Sequence, residues 1–328
     1  MKAIFTKERL PIIATSLVCI AIYVAAGLKF EGFFSLRVFL NFLTDNAFLG
    51  ITAVGVTFVI LSGGIDLSVG SMVGCTGIMT AVLIQNKHLH PALAIATVLL
   101  FGLLLGCGHG LLIQKFNLPP FLVTLAGLFL ARGLGLWISK ESVQIDHPFF
   151  SALAGIKISL PNGASLPISA ILFLVVLVAG IVLAKQTRFG RTVYAIGGNE
   201  SSAMLMGLSV GKTKIWIYAL SGFCSALAGV VYTIYTSSGN ALSGTGLELD
   251  AIAAVVIGGT LLSGGYGSVF GSFLGVLILA MIQTAINFDG SLSSWWTRIA
   301  IGTLLLIFML LQKGIEVSAR RTSKKAGH

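Results

Sequence analysis

Asp66 stands in LSGGIDLSVGS (61–71), a run of glycines and one carboxylate inside otherwise apolar sequence. An ionisable side chain at membrane depth is expensive unless it faces protein, water or cargo, so it marks a candidate functional position. Ser62 and Ser68 flank it, Asn46 lies ahead, and Asn240, Glu248 and Asp250 form a second polar set. Hydroxyl, amide and carboxylate groups of this kind can trade hydrogen bonds with a polar solute moving past them. A transient route needs few strong contacts, because binding must be weak enough to release.

Enzymatic chemistry finds no support in the same residues. The five histidines show no HExxH or other ligand spacing, and no GxSxG elbow is present. GLSVGKT (207–213) has three residues between its glycines where a phosphate-binding loop needs four, and Met206 fills the required glycine position. Cys19, Cys75, Cys107 and Cys224 sit in apolar segments without a CxxC pair. No catalytic residue, metal or cofactor is expected.

The elements that must position these groups are hydrophobic helices. The chain is 56% hydrophobic and 10% charged, with mean hydropathy +0.98, against about 25% charged residues in a soluble domain. Crossing a bilayer takes about 20 apolar residues. Ten candidates follow at roughly 10–28, 38–61, 65–85, 91–114, 118–138, 165–184, 213–236, 246–262, 265–287 and 294–312. The expected fold is an all-α polytopic membrane protein, one domain over 1–328, with about ten transmembrane helices. The run after Lys2, Lys7 and Arg9 is too long for a cleavable signal and reads as the first helix.

Basic residues gather at the chain ends and in 185–214, which by the positive-inside bias predicts both termini cytoplasmic. The net charge of +10 is thereby explained without nucleic acid. Residues 139–164 read as an outer loop. The inner loop 185–212 carries a short helix near Glu200–Leu208 whose Ala203, Met204, Leu205 and Leu208 are assigned to one apolar face. So short a helix needs a partner.

A shift of 201 residues lays Leu61, Ser62, Gly63, Gly64, Gly70, Ser71 and Gly74 on Leu262, Ser263, Gly264, Gly265, Gly271, Ser272 and Gly275. Repeat halves of about 10–114 and 211–315 follow, in parallel orientation. Apolar blocks of fifteen residues before each SGG rise only ~22 Å, short of a ~30 Å core. Gly-broken helices at matching places in two halves point to a transport site near the midplane. Ser62, Gly63, Gly64, Ser263, Gly264 and Gly265 are therefore path candidates; the competing reading is a tight turn with Asp66 capping the next helix. Arg132 within the fifth segment is either part of a structural ion pair or a partner for Asp66. The stripes Gly102, Gly106, Gly110 and Gly267, Gly271, Gly275 read as helix packing surfaces.

TFVILSGGIDLSVGS (57–71), AIGGNESSAMLMGL (195–208) and AAVVIGGTLLSGG (253–265) together resemble the permease subunits of ribose-type sugar ABC importers, over about Leu40 to Leu311. LTDNAFLGI (43–51), GLELDAIAAVVIGGTLLSGG (246–265) and INFDGSLSSWWTRIAIG (286–302) are most similar to the galactofuranose-type permease. The resemblance implies a dimer in the bacterial inner membrane, homomeric or with a paralogous permease, surrounded by lipid. It implies a separate cytoplasmic ABC ATPase and a periplasmic sugar-binding protein as partners, with a monosaccharide as cargo. Gly198, Asn199, Ser202, Ala203, Gly207 and Leu208 match the segment expected to dock into the ATPase, although Ser202 stands where relatives often carry alanine. Another cargo, such as ribose or a branched-chain amino acid, and an ion-driven secondary carrier are the alternatives.

Overall fold

The computed structural model describes residues 10–291 and 295–325; Lys2, Lys7 and Arg9 of the orientation argument lie outside them. Apolar sequence makes helix almost everywhere, because in lipid every backbone polar group must be satisfied within its own segment. The helices are α1 (Leu10–Lys29), α2 (Leu36–Asp45), α3 (Ala47–Leu61), α4 (Val69–Gln85), α5 (Pro91–Lys115), α6 (Pro120–Ile138) and α7 (Pro148–Ala154). They continue with α8 (Ile168–Gln186), α9 (Arg188–Gly198), α10 (Glu200–Leu205), α11 (Val210–Thr236), α12 (Leu247–Ile257), α13 (Val269–Asp289) and α14 (Trp295–Lys325).

All ten apolar segments are helical in whole or part, but ten spanning helices are not borne out by their lengths. Among the described residues six helices are long and apolar enough to cross a membrane: α1, α5, α6, α8, α11 and α13. A seventh crossing results if α2 and α3, bent by 57° at Asn46, act as one span. α4 has 17 residues, the apolar part of α14 runs Trp295–Leu310, and α12 has only 11. Hydropathy counts apolar residues rather than helical turns. It therefore reads 246–262 as one span, although Gly259 leaves the helix with φ +89°.

α11 runs through the middle of the bundle, antiparallel to α5. The stripe Gly102, Gly106, Gly110 lies on Gly222, Tyr218 and Ile215 of α11, where any Cβ would collide with backbone. Gly271 and Gly275 of α13 likewise lie on Gly258 and Ala254. Gly267 does not share that stripe: it precedes α13 with φ +145°.

The 201-residue shift carries α1, α3, α4 and α5 onto α11, α12, α13 and α14. α3 and α12 both run toward the end of the bundle where α9 and α10 sit. A two-residue ladder, β1 (Val143–Gln144) on β4 (Ser238–Gly239), pins the 139–164 segment to the opposite end. The hairpin β2 (Lys157–Ser159) on β3 (Ser165–Pro167) projects from the same segment.

Candidate functional site

The two glycine breaks meet each other. α3 stops at Ser62 because Gly63 turns left-handed (φ +80°). Gly264 (+83°) and Gly265 (+78°) are also left-handed in the second copy, although α12 has already ended at Ile257; only glycine enters that region freely. The Gly265 N–H donates to the Leu61 carbonyl at 2.9 Å. A Cβ on Gly264 would stand 2.7 Å from the Gly63 nitrogen. Gly197, in the last turn of α9, closes the junction: a Cβ there would collide with the Leu61 carbonyl and the Gly265 nitrogen. Tyr194 of α9 donates its hydroxyl to the Gly267 carbonyl at 3.0 Å. Burial pushes that phenol above the usual tyrosine range, so it stays a donor. Thus Ser62–Gly64 and Ser263–Gly265 are brought together with the 185–212 segment, away from Asn46 and Asp250 at the other end of α3 and α12.

Beside this junction α10 is held by small parts. The Asn199 side-chain oxygen accepts from the Ser202 N–H at 2.8 Å as an N-cap. Ala203, fully buried, packs with Ile196, Val210 and Leu208, Gly207 turns left-handed after the helix (φ +77°), and Lys214 pairs with Glu200 at 2.6 Å. The single apolar face assigned from sequence is therefore divided. Ala203 and Leu208 point inward, while Met204, Leu205 (89% exposed) and Met206 stand out as an apolar tip that sequence reading did not single out as such. Gly198 and Ser202 lie on the exposed surface.

Asp66 is 1% exposed. One carboxylate oxygen accepts from the Ser68 N–H (2.9 Å) and hydroxyl (2.6 Å), the other from the Ser221 hydroxyl (2.7 Å). Ser68 occupies the N-cap position of α4, so Asp66 braces the helix entry and ties it to α11. It does not meet Arg132, whose guanidinium donates to the Ala241 carbonyl and, at 3.0 Å, to that of Ser243. Arg132 thereby stitches the segment before α12 onto α6. Asn240 turns inside that segment, its side-chain oxygen accepting from the Leu242 N–H at 2.7 Å. Glu248 leaves one buried carboxylate oxygen without a hydrogen-bond partner among the described residues, against Gly70 of α4.

Asn46 and Asp250 do come together, at the end of the bundle opposite α10. They line a cavity of about 220 Å³ with Gln283 and Asn287 of α13, Thr297 and Arg298 of α14, and the apolar Leu49, Leu279 and Ile301. Arg298 Nη1 lies 3.0 and 3.2 Å from the two Asp250 oxygens. Asn46, 7% exposed, donates to the Phe42 carbonyl at 3.2 Å. Sequence reading missed Gln283, Asn287, Thr297 and Arg298. The i,i+4 spacing of Gln283 and Asn287 near the end of an apolar helix was the available signal.

A polytopic bundle with a repeated broken helix, a braced apolar tip at one end and a small polar cavity at the other defines a membrane transport component. The family described as branched-chain amino acid transport system / permease component matches residues 38–309, and the chain belongs to it. The inner membrane ABC transporter permease protein YjfF of Escherichia coli (strain K12) is 54% identical over 311 residues, covering 95% of this chain and 94% of that protein. The fructose import permease protein FruG of Bifidobacterium longum is 39% identical, covering 94% and 92%. The ribose import permease protein RbsC of Haemophilus influenzae is 39% identical, covering 85% of each. No solved structure matches the chain. The protein is a multi-pass permease component and not an enzyme.

Proposed function

We propose that the chain is the permease subunit of an ATP-binding cassette sugar importer of the bacterial inner membrane, with both termini cytoplasmic. It passes a monosaccharide, galactofuranose in the finer reading, by alternating access. The observation that carries this is the apolar tip Met204–Leu205–Met206 on a helix braced against the junction of both glycine breaks. A helix this short gains stability only by docking, and a partner ATPase is the docking body the reading requires. Closure of the ATPase would drag α10, and α9 would deliver the displacement to Leu61 and Gly265 together. Ser62–Gly64 and Ser263–Gly265 then act as hinge rather than as contact surface for cargo, while a binding protein delivers sugar at the other end.

The sugar-import names of the relatives support the cargo class over the amino acids in the family description. A ribose permease is the second reading within that class. An ion-driven carrier is less well supported, because Asp66 is held by three hydrogen bonds inside the bundle. The test is affinity purification of the tagged protein from its native membrane with mass spectrometry of its companions. An ATPase should co-purify with the unmodified chain and be lost with Leu205→Asp at equal permease abundance. A chain that purifies alone and moves sugar in liposomes under an ion gradient overturns the proposal.

A further inference from the structure

We propose that the cavity between α3, α12, α13 and α14 is a monosaccharide-holding site contained within one subunit, with the Asp250–Arg298 pair as its recognition element. The inference rests on the sugar-importer reading and adds a place and a chemistry to it. At about 220 Å³ the cavity lies below the ~300–1,000 Å³ of drug-sized sites, so it holds one small molecule.

The lining specifies that molecule's chemistry. A sugar presents hydroxyls that both donate and accept, around a face of C–H bonds. Gln283 and Asn287 offer amides that do both, Thr297 offers a hydroxyl, and Leu49, Leu279 and Ile301 form an apolar floor. The two charges cancel: Arg298 spans both Asp250 oxygens at 3.0 and 3.2 Å. A neutral ligand can hydrogen-bond to the outer edges of that pair without separating it. A zwitterionic amino acid would have to pull the pair apart to seat its ammonium on Asp250 and its carboxylate on Arg298, losing the existing pair and desolvating two further charges. The pair is also partly open, with the Arg298 side chain 52% exposed and that of Asp250 21%, which leaves hydrogen-bonding capacity facing the cavity.

Position agrees with chemistry. The cavity sits at the N-terminal ends of α3 and α12, while the C-terminal end of α3 feeds the glycine junction under α9. One element therefore joins the site to the docking end, and a movement of α3 that opens the junction also reshapes the cavity wall at Asn46 and Leu49.

The test uses the full-length permease in membrane vesicles with Thr297→Cys in a background lacking the four native cysteines. Maleimide labelling of Cys at 297 is followed with and without D-galactose, D-ribose, D-fructose or L-leucine. A sugar should slow labelling, and adding Gln283→Leu should weaken that protection about tenfold, the factor carried by ~1.4 kcal/mol. Asn287→Leu serves as a second variant should the first fail to accumulate. Protection by L-leucine alone, or sugar protection that both leucine variants leave intact, overturns the inference. The assay needs no ATPase, so a negative result here is separate from failure of the docking experiment.

Discussion

The two ends of this molecule are built on opposite principles. Under α9 and α10, backbone lies on backbone: Gly197 touches Leu61 and Gly265, and Gly264 touches Gly63. At the other end side chains surround about 220 Å³ of space. A backbone junction has one geometry and transmits displacement, because nothing soft lies between its parts. A side-chain cavity can adjust its contacts one group at a time, as weak binding of a passing solute requires. The contrast separates where movement would be received from where cargo would be held.

The sharpest way to break that contrast is Gly197→Val. Its added atoms meet the Leu61 carbonyl and the Gly265 amide with no room to move, and overpacking of this kind costs about 3 kcal/mol or more. Uptake should vanish, with a large fall in Tm of the detergent-solubilised protein. A variant that folds and transports normally would show the junction to be soft.

Asp66→Asn comes next. The carboxylate accepts three hydrogen bonds while buried, and an amide nitrogen in place of one oxygen leaves one hydroxyl or N–H facing a donor. The expected loss is about 1–3 kcal/mol, read as a lower Tm. Uptake and abundance falling in parallel would assign Asp66 to bracing the entry of α4. Uptake falling further than abundance would give it a part in the transport step.

A smaller effect is expected from Gly207→Ala. No atom lies within 4 Å of its Cβ position, yet φ is +77°, and a left-handed residue other than glycine costs roughly 1–2 kcal/mol. The loss should be confined to the seating of α10, so ATPase co-purification should weaken while Tm changes little. The smallest effect is Gly108→Ala, within about 0.5 kcal/mol of neutral, because its Cβ meets nothing within 4 Å. A strong phenotype there would mean that the exposed side of α5 is covered by another subunit.

The sequence alone determined what is local. Ten apolar runs become helix because each satisfies its own backbone, the glycine stripe 102–106–110 becomes a packing surface because small residues allow close approach, and the repeat is visible as identical letters at a fixed shift. Asn199, capping α10 three residues ahead of the N–H that donates to it, belongs to the same class. Tertiary structure decided what joins distant residues. Leu61 meets Gly265 across 204 positions and Arg132 reaches Ser243 across 111, so no window of sequence contains either pairing. Ala203 and Met204 are neighbours with similar hydropathy, yet one is buried and the other exposed, because only the position of Ile196 and Val210 defines which side of so short a helix is inside. The cavity is the extreme case. Asp250, Gln283 and Arg298 come from three helices and Asn46 from the joint between two more, and their shared chemistry exists only where those elements end together.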